Sequence, residues 1–252
     1  MSKIFQAVVL CAGNGARMQP FTNYYPKCLL PVKTRLALEI LLEELVQAKI
    51  QKIVFVINEQ QWIIKQVVKD FFASCNKKIK CVFIEQKIKN GGGGALMLCE
   101  KHLNKKPFLL AFSDDITQCK ISACKQMIKT FEKTKKNVMA IRYVAPENAK
   151  NYGIITYPKK HKTIFFLSGI VEKPSVPLKS NFANFGRYVF HPQIFDVLKT
   201  IAPEANGEVY LTRALEKLIE KNNLIAKKIV GKTFDVGTPK NYIKTFKKYK
   251  IK

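Results

Sequence analysis

Apolar and polar positions follow one rhythm in the first half of the chain and another after Asn137. In the first half, short apolar runs alternate with longer segments of helical spacing. Phe5–Cys11, Lys52–Ile57, Ile79–Ile84 and Pro107–Phe112 are brief and rich in β-branched, aromatic and other large apolar residues, which predicts strands. Leu36–Ala48 sets Leu38, Leu41, Leu42, Leu45 and Val46 on one helical face, and Glu59–Phe72, Ala95–Leu103 and Ile121–Thr134 read the same way. Short strands between helices of this length predict parallel βαβ units with helices on both faces.

Past Asn137 the pattern turns to strands: Val138–Val144, Gly153–Tyr157, Thr163–Val171 and Ala183–Phe190. Helical patterns return at Pro192–Lys199 and Glu208–Lys221, then Leu224–Val230, then Asn241–Tyr249. The expected fold class is α/β, a Rossmann-like mixed, mainly parallel sheet with helices on both faces. No repeat or low-complexity linker interrupts the sequence, so a single domain over 1–252 is expected, with halves at 1–136 and 137–252.

Composition narrows the class. The chain has 252 residues, 47% of them hydrophobic, which excludes general disorder and suffices for a core without disulfide or metal staples. No apolar run approaches the ~18 residues of a membrane span, so no membrane partner is expected. Ile4–Ala12 follows a lysine as a signal peptide would, but Gln6 interrupts it and a glycine-rich loop follows, so it reads as the first strand. Seven cysteines, an odd number with no CxxC pair, argue against a zinc site or a secreted disulfide framework and favour a reducing cytoplasm. His102, His161 and His191 stand apart and suggest no nucleophilic triad.

The net charge of +26 comes mainly from lysine, 39 of the 44 basic residues, against five arginines. The lysines are spread through every segment, the pattern of a lysine-biased surface. With no basic–aromatic motif or zinc module, no nucleic-acid partner is expected. The charge would still attract small, highly anionic substrates.

In open α/β sheets ligands bind beyond the carboxyl ends of the strands, which singles out the loops after Cys11, Ile84 and Phe112. The first reads Ala12-Gly13-Asn14-Gly15-Ala16-Arg17-Met18-Gln19-Pro20. Glycines directly after a strand let backbone N–H groups close around phosphate oxygens. A Rossmann fingerprint would need glycine or alanine at Met18 followed by a helix, which Pro20, Pro26 and Pro31 forbid; the Gly-Lys-Ser/Thr of a Walker loop is absent. Glycines alone leave an ordinary tight turn equally open, and Arg17 with Lys27 tilts the reading toward phosphate. Asp114 ends an apolar strand and Asp235 stands between Phe234 and Val236-Gly237; as a pair they suit the oxygen coordination of magnesium, and as single residues they suit solvated turns. Glu172 and Lys173 combine an acceptor for hydroxyls with a cation for phosphate, and the Gln86 amide can pair with both a donor and an acceptor on a base edge.

The stretch "LCAGNGARMQPFTNYYPKCLLPV" resembles the signature G-x-G-x-R-x-x-P-x-T-x-x-x-P-K of the sugar-1-phosphate nucleotidyltransferases. "EQKIKNGGGGA", "FLLAFSDDI", "YGII", "GIVEKP", "SNFANFGRYVF", "GEVYLTRAL" and "GKTFDVGTPKNY" are similar, in order, to segments of the bacterial UTP–glucose-1-phosphate uridylyltransferases (UDP-glucose pyrophosphorylases). The resemblance spans nearly the whole chain. It implies a nucleotide-diphospho-sugar transferase type of fold, with a nucleotide-binding half at 1–136 and a sugar-binding half at 137–252. It implies UTP and glucose 1-phosphate as substrates, UDP-glucose and pyrophosphate as products, and magnesium as cofactor. Ala12, Gly13, Gly15, Gln86 and Gly91 would bind the nucleotide. Arg17, Lys27 and Lys173 would carry the chemistry, Gly153, Glu172 and Gly186 would bind the sugar, and Asp114 and Asp235 would hold the metal. N-acetylglucosamine or galactose 1-phosphate as sugar, dTTP or GTP as nucleotide, a non-catalytic sugar-nucleotide-binding role and a homo-oligomer all stay open.

Some positions depart from that pattern. Gly92 and Gly94 stand where a G-L-G-H-A-like loop has bulkier residues, and Glu85 replaces a usual arginine. Cys28 stands for a common glutamate and Arg213 for a usual aspartate, and the chain is shorter between Trp62 and Ile79. None of these removes a proposed metal ligand or phosphate cation.

Overall fold

A computed structural model describes residues 4–58 and 62–251. The chain opens with strand β1 (Gln6–Leu10), three short 3-10 turns, the small hairpin β2 (Pro31–Val32) and β3 (Arg35–Leu36), and helix α1 (Ala37–Gln47). Strand β4 (Lys52–Ile57), helix α2 (Ile63–Ser74), strand β5 (Lys80–Glu85) and helix α3 (Gly91–Met97) follow. Strand β6 (Phe108–Phe112) leads through β7 (Asp115–Gln118) into α4 (Ala123–Thr134). The second half holds β8 (Asn137–Tyr143), β9 (Gly153–Thr156), β10 (Lys159–His161), β11 (Ile164–Phe166), β12 (Gly169–Glu172) and β13 (Phe182–Phe190). Helices α5 (Ile194–Lys199) and α6 (Leu211–Glu220), strands β14 (Leu224–Lys228) and β15 (Lys232–Asp235), and helix α7 (Pro239–Lys248) complete it.

The main sheet runs β10-β11-β14-β8-β13-β6-β1-β4-β5, with β9 and β12 branching from β13. β1 pairs in parallel with β4 and β6, β4 with β5, and β8 with β14; the long β13 runs antiparallel to β6 and β8. This is the expected mixed, mainly parallel sheet. Its central strands are apolar on both faces because helices cover both. Leu38, Leu41, Leu42 and Leu45 of α1, Ile64, Val68 and Phe72 of α2, and Met127 and Phe131 of α4 share one core cluster. Leu96 of α3, Ile194 and Leu198 of α5, and Leu211, Leu215 and Leu218 of α6 share the cluster on the other face. Spacings of three and four residues give each helix one buried stripe.

The expected elements differ from the observed ones at several places. Leu224–Val230, grouped with the returning helices, is strand β14: seven apolar-rich residues are too few for a helix, and β8 offers a parallel partner. Thr163–Val171 breaks into β11 and β12 because β11 pairs with β14 while β12 turns back onto β9. The helix expected over Ala95–Leu103 starts at Gly91 and ends at Met97, followed by a 3-10 turn at Glu100–His102. Glu59–Gln61, the start of the expected second helix, lies outside the described residues; the helix observed is Ile63–Ser74. Among the described residues, no helix is long and apolar enough to cross a membrane.

Candidate active site

The carboxyl ends of β1, β5 and β6 point to one edge of the sheet, and the Ser113 hydroxyl donates to Leu10 O at 2.8 Å, tying the ends of β1 and β6 together. A cleft with two lobes opens there. The first, about 340 Å³, is lined by Ala12, Gly13, Lys27, Gln86 and Gly91; the second, about 290 Å³, by Gly153, Glu172, Lys173, Gly186 and Asp235. Arg17, Gly92, Phe112, Asp114 and Glu208 border both. All the residues singled out from the sequence line these lobes except Gly15, which shapes the loop from behind. A larger open groove of about 1030 Å³ lies at the opposite edge of the sheet, near Pro107 and Lys135, and holds none of them.

Gly15 makes the first loop possible. Its φ of +64° is in the left-handed region, and a Cβ there would lie 2.6 Å from Thr22 Cγ2. Thr22 in turn donates its hydroxyl to Gly15 O at 2.8 Å, folding the loop onto the next turn. Gly13 differs: a Cβ on it would meet nothing within 4 Å, so the free protein has room for a side chain there. Arg17 is exposed on the 3-10 turn Ala16–Met18 and makes no hydrogen bond or ion pair among the described residues, leaving its planar donors free at the junction of the lobes. The Lys27 ammonium donates to Asp114 Oδ2 at 2.5 Å. Burial pulls its pKa down, but Asp114, helped by Asp235, outweighs this and raises it above its ordinary value. Burial likewise pushes Asp114 up, and the Lys27 charge and hydrogen bond prevail to hold it low.

A two-stranded ribbon brings Asp114 and Asp235 together across 120 residues of sequence. β15 pairs antiparallel with β7, setting Asp235 opposite Asp115, and Val236 N donates to Asp114 O at 3.0 Å. A Cβ built on Gly237 would lie 2.7 Å from Asp235 Oδ1 and 3.5 Å from Asp114 Oδ2, so both oxygens crowd one point. Asp235 Oδ2 is held from behind by Tyr152 OH at 2.8 Å and Asn241 Nδ2 at 2.9 Å, with Arg142 Nη2 at 3.5 Å. Arg142 also reaches Asp115 Oδ1 at 3.7 Å, and its guanidinium lies 4.9 Å from the Tyr152 ring centre. Burial pushes the Asp115 carboxyl up to about 7 against the pull of Arg142.

Two converging carboxylates fit magnesium. Among the described residues no group of three or more His, Cys, Asp and Glu forms a self-sufficient metal cage. Magnesium needs none, since it usually keeps waters and takes one or two carboxylates together with substrate phosphates. The all-oxygen donor set matches its hardness.

In the second lobe, β12 pairs with β9 so that Glu172 faces Gly153. A Cβ on Gly153 would stand 3.0 Å from Glu172 Oε2, so the glycine leaves room for the carboxylate. Thr212 donates its hydroxyl to that same oxygen at 2.8 Å. Lys173 takes a left-handed backbone (φ +44°), which costs a non-glycine residue ~1–3 kcal/mol, and its N–H is anchored on Tyr152 O at 3.1 Å. Gly186 sits at a register shift in β13, where its N–H donates to Asp115 Oδ2 at 2.8 Å and a Cβ would strike Phe112 Cβ at 2.5 Å. The next residue, Arg187, is 0% exposed; it donates to Phe112 O at 2.9 Å and Asp115 O at 2.7 Å, bracketing Asp114, and pairs with Glu44 at 3.1 Å.

Sequence reasoning missed Arg142, Tyr152, Asn241, Thr212 and Glu208. A single tyrosine, asparagine or threonine carries no sequence signal of its role. Arginine does: in a chain whose default cation is lysine, Arg17, Arg142 and Arg187, three of the five arginines, all cluster here.

A mononucleotide-sized lobe, a second lobe lined by hydroxyl acceptors, and a carboxylate pair between them define a nucleotidyl transfer class of site. A family model described as nucleotidyl transferase matches residues 6–252, and the chain belongs to that family. It is 30% identical to UTP–glucose-1-phosphate uridylyltransferase 2 of Staphylococcus saprophyticus, over 100% of this chain and 94% of that one. It is 29% identical, with the same coverage, to a UTP–glucose-1-phosphate uridylyltransferase of Staphylococcus epidermidis. Among solved structures, a UDP-glucose pyrophosphorylase complexed with UDP-glucose superposes with a TM-score of 0.89 at 27% identity, covering 97% of both chains. An apo UDP-glucose pyrophosphorylase gives 0.85 at 26%.

Proposed function

We propose that this protein transfers the uridylyl group of UTP to glucose 1-phosphate, releasing pyrophosphate and forming UDP-glucose. The observation that carries the reading is the junction of the two lobes at Arg17 and Asp114, with Lys27 on one side and Lys173 on the other. A nucleotide in the first lobe and a sugar phosphate in the second would meet phosphate to phosphate there. Full-length similarity to relatives named uridylyltransferases supports the choice of nucleotide and sugar.

In this reading a phosphate oxygen of glucose 1-phosphate attacks the α-phosphorus in line. The bond from that phosphorus to the β-bridging oxygen breaks, and pyrophosphate leaves with the electron pair. No protein nucleophile is required, because positioning and charge neutralisation carry phosphoryl-type transfer. Lys27 offsets the charge of the reacting phosphates, Lys173 holds the sugar phosphate, and Arg17 receives the developing charge on pyrophosphate. Glu172, fixed by Thr212, accepts sugar hydroxyls, and Gln86 and Gly91 face the base. Asp114 and Asp235 would hold magnesium, which would supply further charge neutralisation at the phosphates. Residues 1–136 thus serve mainly the nucleotide and 137–252 mainly the sugar.

A pyrophosphate-release screen of UTP, dTTP, GTP and CTP against glucose, galactose and N-acetylglucosamine 1-phosphates tests the proposal. UTP with glucose 1-phosphate should turn over fastest. Faster turnover of another pair would reassign the substrates, and tight UDP-glucose binding with no pyrophosphate from any pair would make the protein a sugar-nucleotide sensor.

A further inference from the structure

The four glycines at 91–94 are the most unusual feature of the first lobe. Gly94 lies inside α3, where alanine would be the better helix former. Its space is taken: a Cβ there would sit 2.0 Å from Asn90 Oδ1 and 2.5 Å from Asn90 Nδ2. The Asn90 amide therefore folds back over the first turn of the helix into room that only glycine leaves.

What the amide does there follows from its partner. Gln86 is buried at 8% exposure, and its Nε2 donates to Gly91 O at 3.3 Å and to Asn90 Oδ1 at 2.9 Å. A backbone carbonyl can only accept, so the Gln86 atom facing Gly91 is the nitrogen, and the Asn90 atom facing that nitrogen is the oxygen. Both Gln86 amide hydrogens are thereby committed. Its carbonyl oxygen accepts no hydrogen bond among the described residues, and Gln86 lines the first lobe.

We infer that Asn90, seated in the space left by Gly94, sets nucleobase choice by locking the Gln86 amide so that it offers the base only an acceptor. An acceptor-only group suits a base with a ring imide N–H, as in uracil and thymine. It repels cytosine, whose N3 is itself an acceptor. Without Asn90 only the longer 3.3 Å bond to Gly91 O opposes rotation of the Gln86 amide, so the half-turned form that offers its NH₂ to cytosine gains population. Asn90 is a positioning residue, and the inference rests on the proposal that this lobe holds the nucleotide.

The test compares UTP, CTP and dTTP, with glucose 1-phosphate and magnesium, in wild type, Asn90→Ala, Asn90→Asp and Gly94→Ala. Gly94→Ala leaves Asn90 in place chemically but expels its amide, and alanine suits the helix, so the fold should hold. In Asn90→Ala and Gly94→Ala the UTP:CTP ratio of kcat/KM should fall about tenfold or more. Asn90→Asp keeps an acceptor for Gln86 Nε2 and should retain the wild-type ratio. The UTP:dTTP ratio should stay constant throughout, because thymine carries the same imide. An unchanged UTP:CTP ratio in Asn90→Ala and Gly94→Ala, or an equal loss in Asn90→Asp, overturns the lock. Equilibrium binding of the three nucleotides separates the two layers. Selective binding that relaxes in the variants, without pyrophosphate release, overturns the transfer reading and supports the lock; binding of no nucleotide overturns both.

Discussion

Lys27 Nζ donates to Asp114 Oδ2 at 2.5 Å, joining the proline-rich turn after β1 to the end of β6. The ammonium lines the first lobe beside its junction with the second, and both partners keep their charge because each stabilises the other against burial. Lys27→Met removes that charge from the junction of the lobes. Loss of such a preorganised contact lowers kcat/KM about a hundredfold or more, equivalent to ~3 kcal/mol of transition-state stabilisation. Pyrophosphate release under saturating magnesium measures it.

Asp235 Oδ1 accepts from Gly237 N–H at 2.5 Å while Tyr152 and Asn241 grip Oδ2. Tyr152→Phe removes one grip and leaves the carboxylate in place. Second-layer partners of this kind typically affect metal affinity about 10–100-fold. The magnesium concentration for half-maximal rate should therefore rise on that scale, with kcat largely restored at high magnesium. A titration of rate against magnesium shows whether it does.

Arg187 and Glu44 form a buried pair whose role is to hold the Asp114 turn, since the guanidinium also takes the carbonyls of Phe112 and Asp115. Arg187→Met leaves the buried Glu44 carboxylate without its counter-charge, with only Thr117 and Cys124 as donors among the described residues, and takes a donor from both carbonyls. Breaking a buried pair from one side costs ~3–5 kcal/mol, roughly 10 °C of melting temperature in a chain of this size. Thermal melting followed by circular dichroism reads this directly.

The two glycines of the first loop should separate folding from binding. Gly15→Ala puts a side chain at φ +64° against Thr22 and should lower stability by ~1 kcal/mol or more. Gly13→Ala meets no neighbour in the free protein, so its melting temperature should match wild type while KM for UTP rises. Parallel melting curves and UTP titrations on the two variants make the comparison.

The central strands and the helices α1, α2 and α4 were legible because their apolar periodicity is strong and local. Leu224–Lys228 was not, because a short apolar run takes its state from the partner β8 offers. The β7–β15 ribbon left no local trace either: Asp115–Gln118 and Lys232–Asp235 are four residues each, three of them polar, and become strands only by pairing with each other. That ribbon is what brings Asp114 to Asp235, so the pairing of the two aspartates was reachable through family resemblance and beyond spacing alone. Glu172 and Lys173 were visible as a charged strand end and Gly153 only through the resemblance, whereas Thr212 and Tyr152, which hold the charged pair in place, look like any other polar residue. The scarcity of arginine was the unused signal, since Arg142 and Arg187 mark the places where a planar fork reaches several acceptors at once.

Supplying UTP labelled at its α-phosphorus, with glucose 1-phosphate and magnesium, tests the central claim most directly. The label should pass into UDP-glucose in step with pyrophosphate release, and Asp114→Asn should stop both while the protein still melts as a folded chain. Label that stays in UTP, or that transfers at the wild-type rate in Asp114→Asn, would contradict the account.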